Sequence, residues 1–98
     1  MNIQDILNNG NFTLIDVREP MELMMDGKID EAINIPMGQV QQKLNEIKEI
    51  KGPKIVFCRS GGRSGSVVAF LNDNNVEEVY NGGGFMMLNY MMQDLKAK

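Results

Sequence analysis

The stretch Lys54-Ile55-Val56-Phe57-Cys58-Arg59-Ser60-Gly61-Gly62-Arg63-Ser64-Gly65 decides how this chain is read. Its first four residues form a short β-rich run that predicts a central strand. After Phe57 the chemistry turns abruptly to small, polar and cationic residues, and a helix is expected from about Ser64. That helix would bury Val67, Val68 and Leu71 and end at Asn72-Asp73-Asn74-Asn75. A loop joining a strand to a helix N-terminus turns its N–H groups inward, where they and the helix dipole hold an anion. Gly61 and Gly62 permit the positive φ and close backbone approach such a cup requires, and Arg59 and Arg63 add two permanent charges. A lone buried cysteine is ordinarily a small hydrophobe. In this setting Cys58 is read instead as a nucleophile whose thiolate the loop stabilises.

Upstream, Ile3, Ile6 and Leu7 recur at helical spacing between Asn2, a candidate N-cap, and Gly10, a candidate C′ glycine, so a helix is expected over 2–9. Phe12-Thr13-Leu14-Ile15 reads as a buried strand ending at Asp16. Pro20 opens a helix that stops near Asp26-Gly27, and Ala32-Ile33-Asn34-Ile35 is a second short strand. Between Pro36 and Gly52, Val40, Leu44 and Ile47 fall at i, i+4 and i+7, the clearest amphipathic helix in the chain. Downstream, a strand is expected over 76–80, a turn over Asn81–Gly84, and a terminal helix from Phe85 to about Lys96 in which Met86, Met87, Met91 and Met92 fill core. Gly82-Gly83-Gly84 lacks the Lys-Ser/Thr pair of a phosphate loop, so a plain turn is the preferred reading. Alternating strands and helices imply one α/β domain over 1–98, with a small, mainly parallel sheet of about four to five strands and helices on both faces. Ligands of such sheets bind at the carboxyl ends of the strands, where Cys58 sits.

Composition narrows the chemistry. The 98 residues contain one cysteine and no histidine, which removes internal disulfides, histidine-based triads and histidine metal sites together. No metal or cofactor is expected. With 10 basic and 13 acidic residues interspersed, no basic stripe marks a nucleic-acid partner. No apolar run spans a membrane, and Met1-Asn2-Ile3-Gln4-Asp5 lacks the pattern of a signal peptide, so the expected location is the cytoplasm.

Four segments in order carry a resemblance: Asp16-Val17-Arg18-Glu19, Asn34-Ile35-Pro36, Cys58 to Ser64, and Gly83-Gly84. With them the chain resembles the single-domain rhodaneses over nearly its whole length. The resemblance implies a sulfurtransferase that carries sulfane sulfur as a persulfide on Cys58. Arg59, Ser60, Gly61, Gly62, Arg63 and Ser64 would bind the substrate, the loop amides holding the transferred sulfur and the arginines attracting an anionic donor such as thiosulfate. Asp16 and Arg18 would buttress the site, although Arg18 also reads as an ordinary ion-pair partner of Glu19 or Glu22. With no second cysteine to resolve the persulfide, the acceptor is external: cyanide, a small thiol or a sulfur-relay protein. A module acting mainly through a protein partner is the alternative. Departures from the family pattern are Lys28 where histidine is common, Asp30-Glu31 in place of Pro-Gly, and Leu88 in place of a late tryptophan. Cysteine-dependent phosphatases resemble the loop less closely, since they place arginine where this chain has Ser64 and histidine where it has Phe57.

Overall fold

The computed structural model describes residues 2–98, in which helices and strands alternate. The elements are α1 (Ile3–Asn9), β1 (Thr13–Asp16), α2 (Pro20–Asp26), β2 (Ile33–Asn34), α3 (Leu44–Glu49), β3 (Lys54–Cys58), α4 (Gly62–Asp73), β4 (Val79–Gly84) and α5 (Phe85–Lys96). The four strands form one sheet in the order β2-β1-β3-β4, and every pair is parallel. This is the α/β architecture the alternation implies.

Period-two alternation sorts the strand side chains between two cores. Ile55 and Phe57 of β3 and Leu14 of β1 join Ile6, Leu7, Phe85, Leu88 and Met92 beneath α1 and α5. Val56 and Cys58, with Ile15 and Val17, join Val40, Ile47, Val67 and Leu71 on the side of α3 and α4. Each such side chain contributes about 1.5–3 kcal/mol by leaving water. Because both faces are covered, β3 is buried at all five residues. Lys54 is among them, and its Nζ donates to the Gly52 and Glu77 carbonyls at 2.8 and 3.0 Å.

Local chemistry sets the element ends. The Asn2 side chain accepts from the Asp5 N–H at 2.8 Å, and Gly10 closes α1 at φ 83°. Pro20 occupies the first turn of α2, where the Glu22 carboxylate accepts from the Glu19 N–H at 2.7 Å. No helix is long and apolar enough to cross a membrane among the described residues.

Three expectations need correction. The helix expected between Pro36 and Gly52 is broken into a 3₁₀ turn at Met37–Gln39, a further turn, and the short α3. Gly38 is a weak helix former, and the Met37 N–H is held by the Val17 carbonyl at 3.0 Å. Tight turns still deliver Val40 and Ile47 to the core. Asn81–Gly84, expected as a turn, makes up the last four of the 6 residues of β4, which begins at Val79 because Glu78 stands at φ 56°. The glycines let this strand press against its neighbours: a Cβ on Gly82 would lie 2.6 Å from Ile55 Cγ2. Of the four methionines on α5 expected in the core, Met92 is buried and Met91 partly so, while Met86 and Met87 face solvent. An adjacent pair beside two residues one turn on spreads round the helix rather than along one stripe.

Candidate active site

Cys58 ends β3, and the chain turns at once into the loop that starts α4. Gly61 stands at φ 96°, a conformation that favours glycine, and its N–H donates to Cys58 Sγ at 3.0 Å. The Ser64 N–H, in the first turn of α4, points at the same sulfur from 3.4 Å, and Ser64 Oγ lies 3.5 Å away. α4 therefore begins two residues earlier than its apolar pattern indicates, because Gly62 and Arg63 already have helical backbone. The thiol is 1% exposed, and the groups closing over it on the loop side are N–H donors. Burial pushes the thiol up. The Ser64 hydroxyl and N–H, with the Ser60 and Gly61 N–H groups, outweigh it and hold the pKa at about 7 instead of 9.0.

β4 supports the loop from the side. A bulge after Val56 places Cys58 opposite Gly84, and a Cβ on Gly84 would lie 2.8 Å from the Arg59 carbonyl oxygen. Only glycine admits the loop at that distance. Ahead of the bulge, Asn81 reaches back: its Nδ2 donates to the Gly61 carbonyl at 3.2 Å and its Oδ1 accepts from the Ser64 hydroxyl at 2.7 Å.

The two loop arginines differ. Arg63 makes two parallel hydrogen bonds of 2.8 Å to the Glu22 carboxylate of α2. This pairing, with the Glu19 N–H, holds Glu22 at about 2 and raises Arg63 further above its usual range. Arg59 is exposed and, among the described residues, has no ion pair. It lines a cleft of about 610 Å³ together with Arg18, Lys28, Phe85, Met86 and Met87. Ser60 on the loop and Gly62 at the start of α4 are exposed.

Asp16 and Arg18 lie behind the site as a buried pair, each 1% exposed and joined at 2.8 Å. Asp16 is thus the partner of Arg18, in place of Glu19 or Glu22. A second bond from Arg18 Nη2 reaches the Gly27 carbonyl at 2.9 Å, and its guanidinium lies 4.0 Å from the centre of the Phe85 ring. One side chain thereby ties β1 to the end of α2 and the start of α5. Asn34 secures the same corner by donating to the Asp16 and Arg18 carbonyls, both at 2.9 Å.

The structure brings the Ser60, Gly61 and Ser64 N–H groups onto Cys58, with Asp16 and Arg18 behind it, and directs Arg59 to the cleft and Arg63 to Glu22. Sequence reasoning missed Glu22 and Asn81. Glu22 was read only as an alternative ion-pair partner of Arg18, and Asn81 was assigned to a turn. Their partners lie 41 and 17 residues away along the chain.

Comparison with known proteins agrees with this geometry. The profile of the Rhodanese-like domain family matches residues 2–87. The chain is 45% identical over 73 residues to the Bacillus subtilis protein YqhL, an alignment covering 74% of this chain and 56% of that protein. It is 30% identical over 78 residues to a protein of Allochromatium vinosum named sulfurtransferase, covering 80% of this chain and 71% of that one. A rhodanese-related protein of Thermoplasma volcanium superposes with a TM-score of 0.72 at 30% identity, over 90% of this chain and 83% of its own. Family match, sequence likeness and superposed fold agree, and the chain belongs to the rhodanese-like domain family.

Proposed function

We propose that this chain transfers sulfane sulfur through a persulfide on Cys58. The observation that carries the reading is the convergence of the Gly61 and Ser64 N–H groups on Sγ, at 3.0 and 3.4 Å. Such donors stabilise negative charge first on the thiolate and then on the outer sulfur of a persulfide. With a pKa of about 7, roughly half the thiol is ionised at neutral pH. The thiolate attacks the outer sulfur of thiosulfate, the sulfur–sulfur bond of the donor breaks, and sulfite departs with its electron pair. An external nucleophile, a thiolate or cyanide, then takes the outer sulfur and returns Cys58 to the thiolate. Arg59, at the rim, serves an anionic donor more directly than Arg63, whose charge is offset by Glu22. The relative named sulfurtransferase supports the same class of reaction.

Incubation with thiosulfate followed by intact-protein mass spectrometry tests this. The expected result is the added mass of one sulfur on the wild type, absent in Cys58→Ser. No added mass with thiosulfate or an organic persulfide donor would end the proposal.

Exposed side chains beside the site favour a second reading, a sulfur carrier that docks on a protein acceptor. Met24 and Met25 on α2, and Met86, Met87 and Tyr90 on α5, are all more than 60% exposed, and flexible thioethers suit an adaptable contact surface. This reading expects slow turnover with small acceptors and a complex captured more strongly by the persulfide form. Fast turnover with a small thiol and no captured partner excludes it.

A further inference from the structure

Ser64 carries one hydroxyl proton and has three candidate acceptors for it. Its Oγ lies 2.7 Å from Asn81 Oδ1, 3.1 Å from the Gly61 carbonyl oxygen and 3.5 Å from Cys58 Sγ. The orientation of the Asn81 amide is fixed by groups that cannot exchange roles. The Gly83 N–H can only donate, and it meets Oδ1 at 2.9 Å; the Gly61 carbonyl can only accept, and it meets Nδ2 at 3.2 Å. Oδ1 therefore accepts from Ser64. The pocket for this amide is shaped by glycine, since a Cβ on Gly65 would approach Nδ2 to 3.3 Å.

While its proton lies on Asn81, Ser64 offers only lone pairs to the sulfur, an arrangement that suits a protonated thiol donating to Oγ. A thiolate needs the hydroxyl turned the other way. We propose that Asn81 is a positioning residue for the nucleophile: it holds the Ser64 hydroxyl proton while Cys58 is a thiol, and forming the thiolate requires that proton to swing to Sγ. No covalent bond to Ser64 breaks in this step; the hydroxyl rotates about Cβ–Oγ, exchanging its hydrogen bond to Asn81 for one to Sγ, and the thiol proton goes to solvent. Asn81 thus competes with Cys58 for one donor and holds back the thiolate fraction of the resting protein. The inference rests on Cys58 being the nucleophile, which the persulfide mass shift tests separately.

The charged groups on the surrounding elements are Arg63 on α4, its partner Glu22 on α2, Arg59 in the loop and the Asp16–Arg18 pair at the end of β1. Asn81→Ala leaves all of them in place, whereas Asn81→Asp adds a carboxylate whose charge also raises the thiol. The experiment follows the rate of Cys58 alkylation by neutral iodoacetamide against pH, with thermal unfolding as a control for folding. Asn81→Ala and Asn81→Asp both lose the bond to the Gly61 carbonyl, but only Asn81→Asp keeps the acceptor oxygen. Asn81→Ala is expected to move the midpoint down by about half a pH unit, the worth of one donor turned toward charged sulfur, and Asn81→Asp to move it up. In a Ser64→Ala background the effect of Asn81→Ala is expected to vanish. A merely structural role would leave the Asn81→Ala midpoint unchanged or raise it by loosening the loop donors, and that result overturns the proposal. So does an Asn81→Ala shift that persists without the Ser64 hydroxyl. Should Ser64→Ala fail to fold, the sign of the Asn81→Ala shift decides the matter, since the carboxylate of Asn81→Asp raises the midpoint by its charge whatever Ser64 does.

Discussion

Cys58 stands under two opposed influences, burial that disfavours its charge and N–H donors that favour it, and the donors prevail. The outcome couples to stability. A thiol whose pKa is about 7 folded and 9.0 unfolded contributes nothing below pH 7, increasingly more between 7 and 9, and its full share above 9. Thermal unfolding of the wild type and Cys58→Ser is therefore expected to diverge as pH rises from 6 to 9, the wild type gaining. A constant difference across that range would show that the donors do not favour the thiolate. Arg18 presents the other ionic case, a buried pair whose Nη2 also donates to the Gly27 carbonyl. Arg18→Met leaves the Asp16 carboxylate buried without a counter-charge and is expected to cost about 3 kcal/mol in urea unfolding. Adding Asp16→Asn recovers part of that loss; a single-variant cost under about 1 kcal/mol would place the pair in contact with water.

Two elements meet at the loop, and their glycines have different duties. Gly84, at the end of β4, faces the Arg59 carbonyl so closely that a methyl group displaces the backbone. Gly84→Ala is expected to cost about 1–3 kcal/mol and to lower sulfur transfer by about tenfold or more through misplacing the loop. Gly62, the first residue of α4, has open space around its Cβ position and no positive φ. Gly62→Ala is expected to remain within about 0.5 kcal/mol of wild type or to gain slightly. Paired melting curves and turnover measurements check both, and equal behaviour of the two would contradict the packing at Gly84. The same elements show what a sequence discloses. α1 was legible because Asn2 and Gly10 cap it chemically, and β3 because its apolar run ends at a change of composition. β4 was placed too early: Asn81–Gly84 has no side-chain pattern of its own, and its extended form comes from pairing with β3.

Across the whole molecule, one parallel sheet divides two cores, and the site lies at the carboxyl end of the strands between them. Leu88, where the family often has tryptophan, is fully buried on the inner face of α5 in the core shared with Phe57 and Phe85. Packing has closed around the smaller side chain, so Leu88→Trp is expected to destabilise by about 1–3 kcal/mol in urea unfolding. A gain in stability would mean that room for an indole remains. The residues of the chain alone determined the α/β order, the place of Cys58 at a strand end and the glycine–arginine loop around it, because periodicity and turn chemistry act between near neighbours. Tertiary structure decided the rest: that Glu22 engages Arg63, that Asn81 reaches Ser64, that Arg18 pairs with Asp16 beneath Phe85, and which methionines face water. Those contacts join segments brought together only when the sheet assembles, and no local pattern records which side chain will lie across from which.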